Sequence, residues 1–147
     1  MIEERNPTNT WIVDDDSIYV YGLKKLISIK GINTNLSHFI NGQEGINALK
    51  KANENQQLPD IILLDINMPV MDGWEFMNEF AKLKPQLGKN ITVYIVTPSL
   101  DLNDIHRAKS IPEVAEYIFK PVKISQLTEI FSQTQYQTNE RIRQYGT

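Results

Sequence analysis

Three consecutive aspartates, Asp14, Asp15 and Asp16, follow the apolar run TWIV, and a fourth carboxylate, Asp65, follows IILL. Thr97 and Ser99 come directly after ITVYIV, and Lys120, with Pro121 behind it, comes after YIF. Carboxylates gathered in one place repel one another and raise each other's pKa unless a divalent cation neutralises them. Oxygen ligands with no Cys or His among them suit Mg²⁺. A carboxylate beside Mg²⁺ can attack a phosphoryl group, provided that the three equatorial oxygens in flight meet positive or donor partners. Lys120, Thr97 and the metal fit those roles, so the chemistry these residue types offer is phosphoryl transfer at a metal-loaded acidic pocket.

Such a pocket forms only if separate segments deliver their ends to one place. Short β-rich apolar runs alternate here with segments of helical period, the pattern of a parallel sheet covered on both faces. The expected strands are Thr10 to Val13, Ile32 to Phe39, Asp60 to Leu64, Ile91 to Val96 and Ala115 to Phe119, with TWIV, IILL and ITVYIV apolar enough to be central. Tyr19, Leu23, Leu26 and Ile27 share one helical face, as do Ile46 with Leu49, and Gly73 with Met77 and Phe80. Asp16 or Ser17, Asp72 and Asp101 stand at expected helix N-caps, and Gly31 and Gly88 suit chain reversals. A last helix is expected from about Ile124, burying Leu127, Ile130 and Phe131, which brings the count to five strands and five helices. In an open sheet of this kind ligands collect outside the carboxyl ends of the strands, where Asp14, Asp15, Asp65, Thr97 and Lys120 all fall.

Bulk properties narrow the function. With 147 residues and 41% hydrophobic content, the chain holds one ordinary core, expected over residues 10–134, with 1–9 a flexible N-terminus and 135–147 a polar tail or helix extension. A net charge of -3 with no basic stripe argues against direct nucleic-acid binding or an anionic membrane. The absence of cysteine excludes a disulfide framework, a thiolate metal site and a thiol nucleophile. There is no secretory signal and no apolar run near the ~20 residues of a membrane span, so the chain is read as soluble and cytoplasmic. His38 and His106 have no companion ligands and are read as surface or packing residues, and Trp74 as packing or a partner contact.

From Thr10 to Phe131 the chain resembles the response-regulator receiver domain of two-component signalling. PDIILLDINMPVMDG, residues 59–73, is similar to that family's phosphoacceptor strand and loop; WIVDDD resembles its acidic pair, NGQEG its second-helix entry and YIFKP its lysine-proline turn. The resemblance implies a flavodoxin-like, doubly wound fold of strand order 2-1-3-4-5 with helices on both faces. It implies that Asp65 is the phosphoacceptor, that Asp15 and Asp65 bind Mg²⁺ directly together with the Asn67 backbone carbonyl, and that Asp14 supports the metal through water. Lys120 and Thr97 would contact the phosphoryl group, Tyr117 would change rotamer with it, and the Lys120–Pro121 bond would be cis. A sensor histidine kinase or histidine phosphotransfer protein would be the donor. The output would pass to an unknown downstream protein through the surface of the fourth helix, fifth strand and fifth helix, from a monomer or weak dimer.

Pro98 breaks the family pattern, because a small residue there usually offers its backbone N–H to a phosphoryl oxygen and proline has none. Asn67 and Ser99 flank the path of the hydrolytic water by the same resemblance and, with Pro98, tune the lifetime. Three other uses stay open at this point. One is a phosphoryl relay or sink without a direct output partner. Another is a Mg²⁺-dependent aspartyl phosphohydrolase, which would need a second acid-base Asp where Asn67 stands. The third is a flavodoxin-like cofactor module, which would need a Ser, Thr or Gly-rich phosphate loop where three aspartates lie. The tail residues Arg141, Ile142, Arg143 and Tyr145 are read as a frayed end or a partner contact.

Overall fold

The runs that carry almost no polar side chain are the ones that reach the middle of the sheet. In a computed structural model that describes residues 7–132, β1 (Thr8–Val13), β3 (Ile61–Leu64) and β4 (Thr92–Thr97) are flanked by β2 (Thr34–Phe39) and β5 (Val114–Phe119). All neighbours are parallel and the order is β2-β1-β3-β4-β5, as the resemblance implied. The helices are α1 (Ser17–Ile29), α2 (Gly42–Glu54), α3 (Gly73–Leu83), α4 (Leu102–Lys109) and α5, helical over 124–132. The expectations for residues 133–147, Arg141, Ile142, Arg143 and Tyr145 among them, lie outside the described residues, as do 1–6.

Alternation along each central strand divides the core in two. Trp11, Val13, Ile62, Leu64 and Val93 face α2 and α3, where they meet Ile46, Leu49, Phe76, Met77 and Phe80. Ile12, Ile61, Leu63, Tyr94 and Val96 face the other way, onto Val20, Leu23 and Ile27 of α1 and Leu127, Ile130 and Phe131 of α5. Trp74, read as packing or a partner contact, is buried with Ile66, Ile95 and Ala108, and Arg107 lies 4.6 Å over its ring. Cutting a fully buried ring such as Phe76 or Phe80 back to alanine costs about 3 to 5 kcal/mol, so these layers set the rigidity of the strand ends.

The caps fall where polar residues precede the apolar stripes. Asp16, Asn41, Asp72 and Asp101 each accept a backbone N–H from the first turn of α1, α2, α3 and α4, and Asp72 forms a reciprocal box with Glu75. All five strands start away from expectation, β3, β4 and β5 by one residue and β1 and β2 by two. β1 begins at Thr8, where the Thr8 hydroxyl donates to that of Thr34 (2.8 Å) and extends the pairing with β2. β2 begins only at Thr34 because Ile32 is still closing α1: its N–H donates to Ile27 and that of Gly31 to Ser28, with Gly31 left-handed at φ 67°. This is the Schellman arrangement, which spends the backbone donor of Ile32 on the helix end. Among the described residues no helix is long and apolar enough to cross a membrane.

Candidate functional site

The parallel ladder runs one rung past three strand ends and so fixes the backbones of the residues that matter. Asp14 N–H donates to the Phe39 carbonyl (2.9 Å), Asp65 N–H to that of Val13 (3.0 Å) and Lys120 N–H to that of Thr97 (3.0 Å). Side chains leaving these points converge. The Lys120 ammonium lies 2.7 Å from Asp14 Oδ2 and 3.3 Å from Asp65 Oδ2, with the three side chains only 10%, 3% and 7% exposed. Asp15 is exposed, yet one carboxylate oxygen each of Asp14, Asp15 and Asp65 lie within 4.8 Å of one another. The Lys120–Pro121 bond is cis.

The remaining acceptors of the pair are also occupied. Asp14 Oδ1 accepts the Asp16 N–H (2.9 Å) and Asp65 Oδ1 the Ile66 N–H (2.7 Å). Burial holds the Asp14 carboxyl above the ordinary carboxylate range, an effect only partly offset by Lys120 and the Asp16 N–H. One ammonium therefore pairs with two buried carboxylates, the exposed Asp15 stands beside them, and the donor set is oxygen alone. That set fits a hard divalent cation, and Asp14, Asp15 and Asp65 are the side chains that would hold it.

The loop after β3 approaches the site closely. A Cβ at Gly73 would collide with the Asp65 carbonyl, so only glycine lets the start of α3 pack against the residue that carries the acceptor carboxylate. Between them Met71 N–H donates to the Pro69 carbonyl (2.8 Å) across Val70, whose φ of 69° is an unusual left-handed value for a β-branched residue. Asn67, two residues beyond Asp65, is exposed.

A second group of predicted residues forms a chain of its own beside this cluster. Thr97 is fully buried and its Oγ1 accepts the Ser99 N–H (3.3 Å). Ser99 Oγ donates to Asp104 Oδ2 (2.6 Å), and the Tyr117 hydroxyl donates to the Ser99 carbonyl (2.9 Å). Pro98 is exposed between Thr97 and Ser99. A backbone bond from Lys120 N–H to the Thr97 carbonyl joins the two groups.

Sequence reasoning passed over three neighbours. His38 Nε2 donates to the Asp14 carbonyl (2.7 Å), a contact created by the β1–β2 register that sets His38 opposite Ile12. Asp104 holds Ser99, and Tyr19, expected only to pack, carries the Lys120 ammonium 4.1 Å above its ring. For Tyr19 a usable signal was present: an aromatic residue in the first turn of a helix that starts on the acidic loop. His106 is exposed on α4.

Comparison with known proteins adds to this geometry. The chain is 33% identical over 131 residues to the sensor histidine kinase CheAY of Helicobacter pylori, a match spanning 87% of this chain and 15% of the kinase. It is 30% identical over 128 residues to the response regulator protein VraR of Staphylococcus saprophyticus, covering 87% of this chain and 56% of VraR. It thus spans a small part of one relative and little more than half of the other. A two-component response regulator from Cytophaga hutchinsonii superposes with a TM-score of 0.81 at 25% identity, over 90% of this chain and 99% of that one. Finally, the model of the response regulator receiver domain matches residues 10–132, from within β1 to the last described turn of α5, and the chain belongs to that family.

Proposed function

We propose that Asp65 accepts a phosphoryl group from a phosphohistidine on a sensor histidine kinase or histidine phosphotransfer protein, in a Mg²⁺-dependent reaction in the cytoplasm. The observation that carries this reading is the Asp65 carboxylate, buried at the end of β3 with Lys120 at 3.3 Å and two further carboxylates within 4.8 Å. Asp15, Asp65 and the Asn67 carbonyl would hold the metal, with Asp14 supporting it through water. When bound, Mg²⁺ supplies charge neutralisation at the equatorial phosphoryl oxygens and orients the donor.

The residues of this chain then have distinct tasks. Asp65 Oδ2 attacks phosphorus, the bond to the histidine nitrogen breaks, and the product is an acyl phosphate. Lys120 already stands beside Asp65 and meets the negative charge that arrives with the phosphoryl group. Thr97 has its hydroxyl hydrogen free to donate while its oxygen accepts the Ser99 N–H. The chain from Thr97 through Ser99 to Tyr117 offers a route from the pocket to the α4–β5–α5 surface, where a downstream protein would read the state. The domain in this way assists its own phosphorylation and dephosphorylation, with Asn67, Pro98 and Ser99 tuning the latter.

The test is uptake of phosphate from acetyl phosphate, followed by intact mass with and without Mg²⁺. One Mg²⁺-dependent phosphate adduct is expected, lost in Asp65→Asn. Steady turnover of phosphate esters with no stable adduct would replace this reading with the hydrolase.

A further inference from the structure

We propose that Tyr19 is a positioning residue for phosphoryl transfer, the face of its ring holding the Lys120 ammonium at the pocket; this rests on the reading of Asp65 as the phosphoacceptor. The placement begins in the acidic loop itself. Asp16 caps α1 and its carboxylate accepts the Tyr19 N–H at 3.0 Å, which fixes the backbone of Tyr19 one turn past Asp14 and Asp15. The side chain packs on the α1–α5 face of the core, and Lys120, arriving from the end of β5, sets its Nζ 4.1 Å from the ring centroid. A cation over the face of an aromatic ring is attracted by the ring quadrupole, more strongly where water is scarce. Here the lysine side chain is only 10% exposed.

The reason for an aromatic partner lies in what else holds Lys120. Both of its ion-pair partners, Asp14 Oδ2 and Asp65 Oδ2, belong to carboxylates proposed to serve the metal or the phosphoryl group. When those carboxylates are engaged elsewhere, a lysine on a four-carbon stem would be free to swing into solvent. Another carboxylate could retain it only by adding negative charge opposite an incoming phosphoryl group. A ring retains it with no net charge and leaves ammonium donors pointing into the pocket.

The hydroxyl of Tyr19 supports this division of labour. Burial, then Asp14, Asp65 and Asp16, push its pKa well above the ordinary phenol value, so the side chain stays neutral. Among the described residues the Tyr19 oxygen is the buried side-chain polar atom with no hydrogen-bond partner. The ring, then, and not the hydroxyl, meets Lys120, and phenylalanine should serve equally well.

The experiment compares Tyr19→Leu and Tyr19→Phe with the unmodified full chain. Initial rates of phosphate uptake from acetyl phosphate are measured at saturating Mg²⁺, and Mg²⁺ affinity separately by calorimetry. Tyr19→Leu should slow uptake roughly three- to tenfold with Mg²⁺ affinity unchanged, whereas Tyr19→Phe should keep the original rate. The lysine is followed by NMR: its ε-methylene protons should be shifted upfield by the ring in the original protein and in Tyr19→Phe, and return to ordinary positions in Tyr19→Leu. Uptake by Tyr19→Leu at the original rate, or by Tyr19→Phe as slowly as by Tyr19→Leu, overturns the proposal. Should Tyr19→Leu fail to fold, unshifted Lys120 protons in the original protein overturn it alone. If the original protein takes up no phosphate, Asp65 is misread and the shifted lysine still stands; if it does and Tyr19→Leu keeps pace, only the role of Tyr19 is lost.

Discussion

At the ends of β1, β3 and β5 the side chains are charged and buried, with Lys120 drawn between Asp14 and Asp65 at 2.7 and 3.3 Å. At the end of β4 the corresponding places are held by the hydroxyls of Thr97, Ser99 and Tyr117, which bond mostly to backbone groups and reach one carboxylate, Asp104, on α4. The first region has strong interactions that are mismatched in number, three carboxylates to one ammonium. The second has modest interactions, in which the Thr97 hydroxyl accepts and keeps its own hydrogen in reserve. A new charge placed in the pocket changes the balance of the first region at once, while the second can rearrange at small cost. Under the proposed function this division would separate the sensing of charge from its transmission, with the bond from Lys120 N–H to the Thr97 carbonyl joining the two regions.

The largest effect should come from removing the ammonium. Lys120→Met keeps the stem over Tyr19 but leaves Asp14 and Asp65 facing each other without compensation. Breaking a buried pair on one side typically costs about 3 kcal/mol or more. In chelator at neutral pH the variant should unfold at markedly lower urea concentration, and Mg²⁺ should restore more stability to it than to the original protein. Equal denaturation midpoints in chelator would mean that the charged region is less tightly balanced than its distances imply.

Next comes Pro98, beside the Thr97 end of the bond that joins the two regions. Alanine there restores an N–H next to Thr97, and a hydrogen bond to a charged phosphoryl group is worth roughly 1.5 to 3 kcal/mol. Proline also holds Thr97 in extended backbone, which narrows its inward movement. Pro98→Ala should therefore lengthen the phosphoryl lifetime roughly tenfold or more, read by decay of the phosphate adduct after removal of acetyl phosphate. An unchanged decay would show that the loop has no use for the extra donor.

A smaller effect with a definite sign attaches to Asp14. Because burial raises its pKa in the folded state, the fold binds that proton more tightly than the unfolded chain does. The stability contributed by protonated Asp14 is present at acid pH and is lost as pH rises through the raised pKa. An asparagine in its place would keep a neutral side chain throughout. In the absence of divalent cations Asp14→Asn should raise Tm at neutral pH. The advantage should vanish at acid pH, and its persistence there would assign it to packing instead of charge.

The comparison also explains what could be read without coordinates. The charged region was legible because Asp14 and Asp65 follow two apolar central strands and Lys120 the end of a third strand, and IILL with Asp65 behind it sets both direction and burial. The strand order followed from the resemblance, and the caps at Asp16, Asp72 and Asp101 from residue type and position. The missing pieces are contacts between segments distant in the chain. Helical spacing placed Tyr19 on the face of Leu23 and Ile27 but could not say that the loop after β5 would lie over the first turn of α1. His38 reads as an alternating strand residue until the β1–β2 register puts the Asp14 carbonyl within its reach. Asp104 has no mark in the sequence beyond its place in the first turn of α4, and it becomes visible only when Ser99 is seen to donate to it. The late start of β2 depended on where the N–H of Ile32 found its acceptor.

The finest test falls on the far end of the hydroxyl chain. Tyr117 donates to the Ser99 carbonyl, packs edge-on to Phe119 at 5.4 Å between ring centroids, and lies against the buried cluster of Ile66, Trp74, Ile95 and Ala108, its ring partly exposed. Removing the hydroxyl in Tyr117→Phe deletes one neutral hydrogen bond, worth about 1 kcal/mol or less, and leaves the ring contact intact. Phosphate uptake should stay within a few-fold of the original because the hydrogen bond of the Tyr117 hydroxyl runs to Ser99, while the ion pairs of the pocket join Lys120 to Asp14 and Asp65. What should change is coupling: phosphorylation should perturb the amide resonances of α4 and β5 less in Tyr117→Phe than in the original chain, while those around Asp65 shift by the same amount. Equal perturbation in both would move transmission off the tyrosine hydroxyl and onto the Ser99–Asp104 bond, which ties the β4 end to α4.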